Sequence, residues 1–378
     1  MQPSDAFQMI REAEKIGENH PIRPDVEEVD MVDLENKEAV ARYLLLNAVL
    51  DQGPDITGVR MLLKRVMNRL YQEGFDILND PNSFFSHLPY IATVIEEVHE
   101  EVKEERAQEW AQENDGNPSN YSLFFAQSAY GSRSLSRVSW YLLGRWGSPF
   151  LLYARLEHDG KTLREFLEES ESAEKMGSRI KSHDKYGIDK AIGNKAFHLF
   201  TKWYVDEFNL VSEENTGTPG WDTYSYELPL DSNVGRVLFR TGWFRTWIKQ
   251  SELEDVAVRH HDREENGEMK HYLRVTDIRG ERATKNVDGK RFQKVYDRIL
   301  TEHLTTKSSR WRKVEIQHLL NVVAYTTNTN LGAVDDGLLH VGIEYCLNHS
   351  NPRCEECPLN EFCEGYQEEN SLIEEYRT

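Results

Sequence analysis

The chain contains 378 residues, of which 39% are hydrophobic, and it carries a formal net charge of −20. This length allows two domains, or one domain with large insertions. No apolar run reaches the length of a membrane span, and the N-terminus lacks the charged-then-apolar order of a signal peptide. We therefore expect a soluble cytoplasmic protein, a monomer with no membrane partner.

The charge is unevenly distributed along the chain. Acidic residues concentrate in Glu96–Glu105, Glu165–Glu174 and the C-terminal tail, whereas basic residues dominate Arg179–Lys202, Arg236–Lys249 and Lys307–Lys313. An acidic protein with local basic strips is compatible with nucleic-acid binding, and bulk acidity also suits a protein adapted to high salt. The alternative is that the basic strips are ordinary solvated helix faces.

Apolar periodicity predicts a mostly helical chain. Composition predicts a loop over Ser212–Tyr224 and a single strand over His271–Ile278, in an inserted hairpin of residues 262–291. The predicted helices, in chain order, are Val40–Leu50, Gly58–Glu73, Pro89–Gln112, Ser134–Leu143, Thr162–Glu169 and Val314–Tyr325.

All four cysteines lie within eighteen residues near the C-terminus, as Cys346, Cys354, Cys357 and Cys363 in the spacing C-x7-C-x2-C-x5-C. Four thiolates on one short loop can ligate either a [4Fe–4S] cluster or a tetrahedral zinc ion. The alternative is two disulfides or four unrelated buried thiols. Disulfide scaffolds, however, are small secreted chains rich in cysteine, and this chain is neither.

The cysteine spacing favours an iron–sulfur cluster over zinc because it resembles a known iron–sulfur loop. Zinc ribbons usually have two CxxC pairs well separated in sequence, whereas here one CxxC is flanked by a single cysteine on each side. This resembles the C-x6-C-x2-C-x5-C loop of the endonuclease III and adenine glycosylase family, with one extra residue in the first gap. The resemblance implies a structural [4Fe–4S] cluster ligated by all four cysteines.

Two segments upstream carry weaker signals. Tyr186–Trp203 contains a glycine turn entering a helix, where the backbone and the free N–H groups of the helix could approach a phosphate. Asp231 occupies an N-cap position, with Val234, Val237 and Leu238 following at helical spacing. Many helical hairpins bind nothing, and an N-capping aspartate is common, so either segment alone is compatible with a purely structural role.

The order of these segments resembles the helix-hairpin-helix base-excision DNA glycosylases. Ile192–Ala196 (IGNKA) is similar to the GVGxKxA hairpin of the family, and Asp231–Val237 is similar to its VDTHVxRV segment. The resemblance identifies Lys195 with the Schiff-base lysine of the bifunctional members and Asp231 with the catalytic aspartate. Asn47–Val59 resembles the early helix and turn of the family, in which Gln52 matches a glutamine that enters the DNA stack.

The chemistry of these residue types agrees with the roles. An amine that attacks an anomeric carbon must be unprotonated part of the time, and a position at a helix N-terminus lowers a lysine pKa. A carboxylate near the sugar can stabilise developing positive charge. The target base must leave the stack, so stacking aromatics are expected, although core packing explains each nearby tryptophan equally well. These tryptophans are Trp203, Trp221, Trp243 and Trp247.

The chain departs from the family pattern in two places. Lys195 and Asp231 are thirty-six residues apart, about double the separation usual in the family, and the extra residues fall in the polar loop Ser212–Tyr224. Asn233 replaces the family histidine. The resemblance covers residues 40–75, 160–250 and 315–366, so an unusual substrate is compatible with it.

The resemblance implies an all-α, two-lobed helix-hairpin-helix DNA glycosylase-like fold. The expected domains are an N-terminal segment (1–39), a glycosylase-like domain (40–250) and a C-terminal iron–sulfur domain (251–378). The second holds the hairpin (186–203) and a large insertion (76–160); the third holds the inserted β-hairpin. Contacts to duplex DNA are expected from Gln52, Ile192, Gly193, Asn194, Arg236, Arg240, Arg310, Arg312 and Lys313.

The function implied is that of a nucleoid-associated DNA N-glycosylase with AP-lyase activity, removing a damaged or modified base in base excision repair. One alternative is an N-glycosidase acting on a modified nucleoside or on RNA with the same scaffold. The other is a non-catalytic iron–sulfur protein that binds nucleic acid. The identity of the base depends on a few side chains distant in sequence, which one chain does not reveal.

Overall fold

The computed structural model of the protein describes residues 1–52, 55–113, 117–121, 140–243, 246, 313–347 and 352–366. Within these ranges the chain is helical and contains no strand, as the all-α expectation requires. No helix in these ranges is long and apolar enough to span a membrane. The chain divides into two compact units: a terminal unit of Met1–Ile22 with Tyr226–Thr378, and a central unit of Arg23–Ser225.

The described α-helices are numbered in chain order. Helix α1 and helices α10 to α12 belong to the terminal unit, and helices α2 to α9 belong to the central unit. Their bounds are α1 (Pro3–Asn19), α2 (Lys37–Leu50), α3 (Ile56–Gln72), α4 (Pro81–Ser86), α5 (Leu88–Glu113), α6 (Gly147–His158), α7 (Leu163–Glu168), α8 (Ala173–Ser182), α9 (Asn194–Lys202), α10 (Ser232–Arg240), α11 (Lys313–Thr327) and α12 (Leu331–Glu344).

Shorter elements connect these helices. Trp140–Trp146 and Trp203–Glu207 are π-helical, and they adjoin α6 and α9 respectively. Single 3₁₀ turns are Val26–Glu28, Pro118–Asn120, Asp189–Ala191 and Asn360–Phe362.

The terminal unit is held together by a close crossing of α1 and α12. A Cβ atom added to Gly337 would lie 1.8 Å from the Ala13 carbonyl oxygen, and one added to Gly17 would lie 1.8 Å from the Ala333 carbonyl oxygen. The two backbones therefore touch directly, and only glycine fits at either position. This crossing attaches the first helix of the chain to the helix that leads into Cys346.

The core of the central unit surrounds α2, in which every residue from Ala39 to Leu50 is buried. The buried Arg42 guanidinium forms ion pairs with Glu38 and Glu157, both at 2.7 Å. Helices α8 and α9 pack closely because Gly177 lies under the ring of Phe197, to which an added Cβ would approach within 2.2 Å. The start of α9 lies beside the end of α2, where the Gly193 N–H donates to Gln52 Oε1 at 3.0 Å.

One carboxylate organises the polar loop Ser212–Tyr224 of the central unit. Glu168 accepts hydrogen bonds from the Ser212 backbone N–H at 3.0 and 3.1 Å, from Asn215 at 2.9 Å and from the Tyr204 hydroxyl at 2.6 Å. Burial raises the pKa of Glu168, but these hydrogen bonds outweigh it and hold that pKa below its ordinary value.

Most predicted helices are confirmed, with small changes at their ends. The predictions for Val40–Leu50, Gly58–Glu73, Pro89–Gln112, Thr162–Glu169 and Val314–Tyr325 correspond to α2, α3, α5, α7 and α11. Thr162 is the N-cap of α7, in a capping box with Glu165. The segment Ser134–Leu143 is described only from Trp140, where it is π-helical. The predicted strand and the hairpin of residues 262–291 lie outside the described residues.

The compact units divide the chain differently from the domain boundaries expected from the sequence. Met1–Ile22 joins the C-terminal part of the chain, and the central unit ends at Ser225. The physical reason lies in α1, whose packing against α12 depends on two glycines more than three hundred residues apart. The polarity of α1 alone does not indicate that partner.

Candidate functional site

The four cysteines converge on one pocket in the terminal unit. Cys346, Cys354, Cys357 and Cys363 line it together with Val237, Arg240, Thr241, Val341, Tyr345, Asn360 and Tyr366. All four thiols are free of disulfides. Among the described residues, no group of three or more His, Cys, Asp or Glu side chains has the arrangement of a site for a single metal ion.

Short turns bring three of these cysteines together. The Cys357 backbone N–H donates to the Cys354 carbonyl at 3.3 Å, and the Cys363 N–H donates to Asn360 at 3.2 Å. The end of the loop is held by Thr241 and Arg240, whose carbonyls accept from Glu364 and Gly365, both at 3.1 Å. The cysteine loop therefore rests on the C-terminal end of α10.

Two buried arginines fix Cys346 from the same helix. Arg236 Nε donates to the Cys346 carbonyl at 2.6 Å, and its Nη2 donates to the Gly342 carbonyl at 2.6 Å. Arg240 Nη1 donates to the Leu347 carbonyl at 2.8 Å, to the Cys346 carbonyl at 3.1 Å and to the Cys346 Sγ at 3.4 Å. Arg236 is 2% exposed and Arg240 is 4% exposed. Both guanidinium groups therefore lie inside the protein, so the proposed DNA contacts exclude them.

The protonation of the thiols indicates what the pocket requires. Burial raises the pKa of Cys357 to about 12 against the lowering effect of the Leu359 backbone N–H, and the nearby Cys346 and Cys354 raise it further. Burial and the same neighbours raise the pKa of Cys363 well above its ordinary value. Four clustered thiols become thiolates only when a cationic centre compensates their charge. This donor set fits an iron–sulfur cluster, and Arg240 adds a donor to one ligand sulfur.

Asp231 caps α10 as predicted. Its Oδ1 accepts from the backbone N–H of Asn233 at 2.8 Å and of Val234 at 2.9 Å. The side chain is half-buried. The N-terminal end of α10 thus carries the candidate catalytic carboxylate, and its C-terminal end carries the cysteine loop.

The predicted hairpin lies in the central unit and contacts the end of α2. Gly193 is the N-cap of α9, and its backbone N–H donates to Gln52 Oε1 at 3.0 Å. Gln52 Nε2 donates to the carbonyls of Val49 at 2.5 Å and Ala191 at 3.0 Å. The Gln52 amide therefore binds α2 to the hairpin. These three hydrogen bonds would have to break before Gln52 could enter a DNA stack.

Other predicted contacts of the hairpin are also used within the protein. Ile192 is 1% exposed, and the Asn194 side chain accepts from the Lys181 ammonium. Arg145 Nη1 donates to the Ala191 carbonyl at 2.6 Å. The Gly193 N–H is likewise used, by Gln52 Oε1, so DNA contacts at Ile192, Gly193 and Asn194 stay predictions.

Lys195 follows one residue after the start of α9 and is half-buried. It lies close enough to Asp51 for its charge to lower the Asp51 pKa, which burial raises. A functional role of Asp51 was not predicted from the sequence. The only sign of it there is that a carboxylate directly follows the apolar helix Val40–Leu50. Lys195 belongs to the central unit and Asp231 to the terminal unit, so a shared cleft stays a prediction.

The structure describes only some of the remaining basic residues and tryptophans that were candidates for contact with DNA. Arg310 and Arg312 lie outside the described residues, and Lys313 begins α11. Trp203 and Trp243 are fully buried, Trp221 is 5% exposed, and Trp247 lies outside the described residues. Trp203, Trp221 and Trp243 are core residues, as the alternative interpretation expected, and their rings have no exposed face for a flipped base.

A buried contact between a histidine and a carboxylate, in the segment before Asp231, was also not predicted from the sequence. His318 Nδ1 lies 3.2 Å from Glu227 Oε1, and both side chains are almost fully buried. The neighbouring Gln317 donates to the Leu228 carbonyl at 2.5 Å. Helix α11 therefore supports the segment that leads into Asp231. Glu227 and His318 are ninety-one residues apart in sequence, and no local pattern predicts their contact.

Comparison with known proteins identifies the cysteine loop. Residues 350–363 match the model of the iron–sulfur binding domain of endonuclease III. The match includes Cys354, Cys357 and Cys363, and Cys346 lies four residues before it. No curated protein and no solved structure matches the chain. The loop is therefore similar to the iron–sulfur binding domain of endonuclease III, which supports an iron–sulfur cluster at these cysteines.

Proposed function

We propose that this protein is a DNA N-glycosylase with AP-lyase activity and a [4Fe–4S] cluster ligated by Cys346, Cys354, Cys357 and Cys363. The observation that carries the proposal is the attachment of the cysteine loop to α10. A loop similar to that of endonuclease III lies on the end of the helix that Asp231 caps. When bound, the cluster would rigidify this loop and hence α10.

The proposed chemistry uses Lys195 and Asp231. The neutral amine of Lys195 attacks C1′ of the target nucleotide, and the C1′–base bond breaks with its electron pair leaving on the base. The Asp231 carboxylate stabilises the positive charge that develops on the sugar. The attacking nitrogen loses a proton, its lone pair then breaks the C1′–O4′ bond, and O4′ takes up a proton, which leaves a protonated imine between Lys195 and C1′. Removal of a C2′ proton then eliminates the 3′ phosphate, which leaves with the electron pair of the C3′–O bond. The phosphate contacts proposed for Arg310, Arg312 and Lys313 would make binding steeply dependent on salt.

Base release and borohydride trapping on duplexes with a panel of modified bases test this proposal. Lys195→Gln should abolish trapping and strand cleavage, and Lys190→Gln, an exposed lysine of the same hairpin, should leave both intact. Trapping by the Lys195→Gln variant would transfer the role to another amine. Base release without trapping by the natural protein would instead indicate a monofunctional glycosylase.

Asp231 is tested by a variant that preserves its structural contact. Asparagine is as good an N-cap as aspartate, so Asp231→Asn keeps the hydrogen bonds to α10 while removing the charge. Base release should fall by about 100-fold or more. Asp222→Asn is the matched control, since Asp222 also accepts a backbone N–H, that of Tyr224 at 2.8 Å. Full activity of Asp231→Asn would remove this mechanism, and DNA binding without base release would favour the non-catalytic alternative.

A further inference from the structure

The central unit contains a buried carboxylate that the proposed mechanism does not use. The Asp51 side chain is 1% exposed, and its Oδ2 lies 3.4 Å from Arg60 Nη2, at the outer limit of a hydrogen bond. Its Oδ1 is fully buried and has no hydrogen-bond partner among the described residues. A buried carboxylate oxygen without a partner is costly to keep ionised.

We propose that Asp51 accepts a proton from the Lys195 ammonium, and so generates the neutral amine within the protein. This inference rests on the proposed function for its biological role. The transfer is balanced: one proton moves from Lys195 Nζ to an Asp51 oxygen, and an ammonium and a carboxylate become a neutral amine and a neutral carboxylic acid. No proton has to leave for solvent before the amine attacks.

The positions of both residues at helix ends favour the neutral pair. Asp51 directly follows the C-terminal end of α2, where its backbone N–H donates to the Asn47 carbonyl at 2.7 Å. The partial negative charge of a helix C-terminus disfavours a carboxylate there. Lys195 lies in the first turn of α9, where the partial positive charge disfavours an ammonium. Burial acts in the same direction on Asp51, whose pKa it raises.

The other charged groups around Asp51 shift its pKa in both directions. Arg60 and Lys195 lower the pKa of Asp51, and Asp55 raises it. Arg60 is also occupied elsewhere, because it donates to the Arg23 carbonyl at 3.0 Å and lies 5.6 Å from the centre of the Trp203 ring. Asp55 is paired with Arg106 at 3.0 Å. Arg60 therefore compensates Asp51 only in part, and Asp51 retains its tendency to bind a proton.

The contact between α2 and the hairpin holds the two groups in place. Gln52 is the residue next to Asp51, and Gly193 lies two residues before Lys195. Gln52 and Gly193 are joined by a 3.0 Å hydrogen bond. This bond fixes the C-terminal end of α2, which carries Asp51, to the N-terminal end of α9, which carries Lys195. Arg145, which binds the Ala191 carbonyl at 2.6 Å, supports the same junction.

The ionisation of Lys195 can be measured without DNA. Reductive methylation with ¹³C-formaldehyde labels the lysines, Lys195→Arg identifies the Lys195 resonance, and its shift is followed against pH. A proton shared between two groups gives two inflections, so the natural protein should show two and Asp51→Asn only one. Glu168→Gln, which removes another partly buried carboxylate of the same unit, should keep both inflections. A single inflection in the natural protein would overturn the proposal.

A second measurement links the proton transfer to imine formation. Trapping on a preformed abasic site should be about 100-fold slower in Asp51→Asn at neutral pH and should recover as the pH rises, since Lys195 then loses its proton to solvent. Unchanged or faster trapping would show that Asp51 only stabilises the ammonium. If the natural protein never traps, the proposed function fails, but the titration still decides whether Asp51 and Lys195 share a proton.

Discussion

Arg240 provides the most direct test of how the cysteine loop is held. Its buried guanidinium donates to two carbonyl oxygens at 2.8 and 3.1 Å and to the Cys346 Sγ at 3.4 Å. Hydrogen bonds from charged donors contribute about 1.5–3 kcal/mol each, and the two carbonyl contacts together should contribute about 3 kcal/mol or more. Arg240→Gln should therefore shift the equilibrium between the closed and open loop by a factor of about 100.

The assay is iron content and the rate of cluster loss to a chelator, followed by visible absorbance. Arg240→Gln should lose iron about 100-fold faster than the natural protein, because its loop would be open about 100 times more often. Arg353→Gln is the matched control, because Arg353 lies on the same loop but is exposed and pairs with Glu356, and exposed pairs contribute about 0–1 kcal/mol. The variant Arg240→Gln could instead retain its iron and lose salt-dependent DNA affinity. That result would refute this reasoning and restore Arg240 as a DNA contact.

Four further expectations follow from the same contacts. Anaerobically purified protein should be brown with about four irons per chain; one zinc per chain without visible absorbance would contradict the cluster. Gly337→Ala should lower the melting temperature, because overpacking costs about 1–3 kcal/mol or more. Gly147→Ala should not, since the nearest atoms to its added Cβ, the Leu142 carbonyl oxygen and the Phe84 ring, would be 3.6 Å away. The pKa of Glu168 is lower in the folded protein than its ordinary value of 4.5, so the ionised Glu168 stabilises the fold above pH 4.5, and this contribution is lost as the pH falls through the folded pKa. Glu168→Gln should therefore make the melting temperature less sensitive to acid. An unchanged pH profile would show that Glu168 does not contribute to acid sensitivity. Gln52→Ala should destabilise the protein by about 1–3 kcal/mol and slow imine trapping, and a stable variant that traps normally would show that the hairpin does not depend on Gln52.

The sequence alone was sufficient to predict the elements that depend on residues close together in the chain. A helix requires apolar residues at a spacing of three and four, so α2, α3 and α5 could be predicted within a few residues. The N-cap role of Asp231 depends on backbone groups two and three residues away. The cysteine loop is also local, because its four potential ligands lie within eighteen residues.

Tertiary structure decided the roles that depend on which groups meet. The charge pattern placed Arg236 and Arg240 in a basic strip, but charge along a chain does not indicate which helix face is buried. Their guanidinium groups donate to carbonyls more than a hundred residues away. Asp51 and Lys195 are likewise separated by 144 residues (195 − 51). They are brought near each other because α2, Gln52 and the hairpin pack against one another. Burial at that place raises the pKa of Asp51.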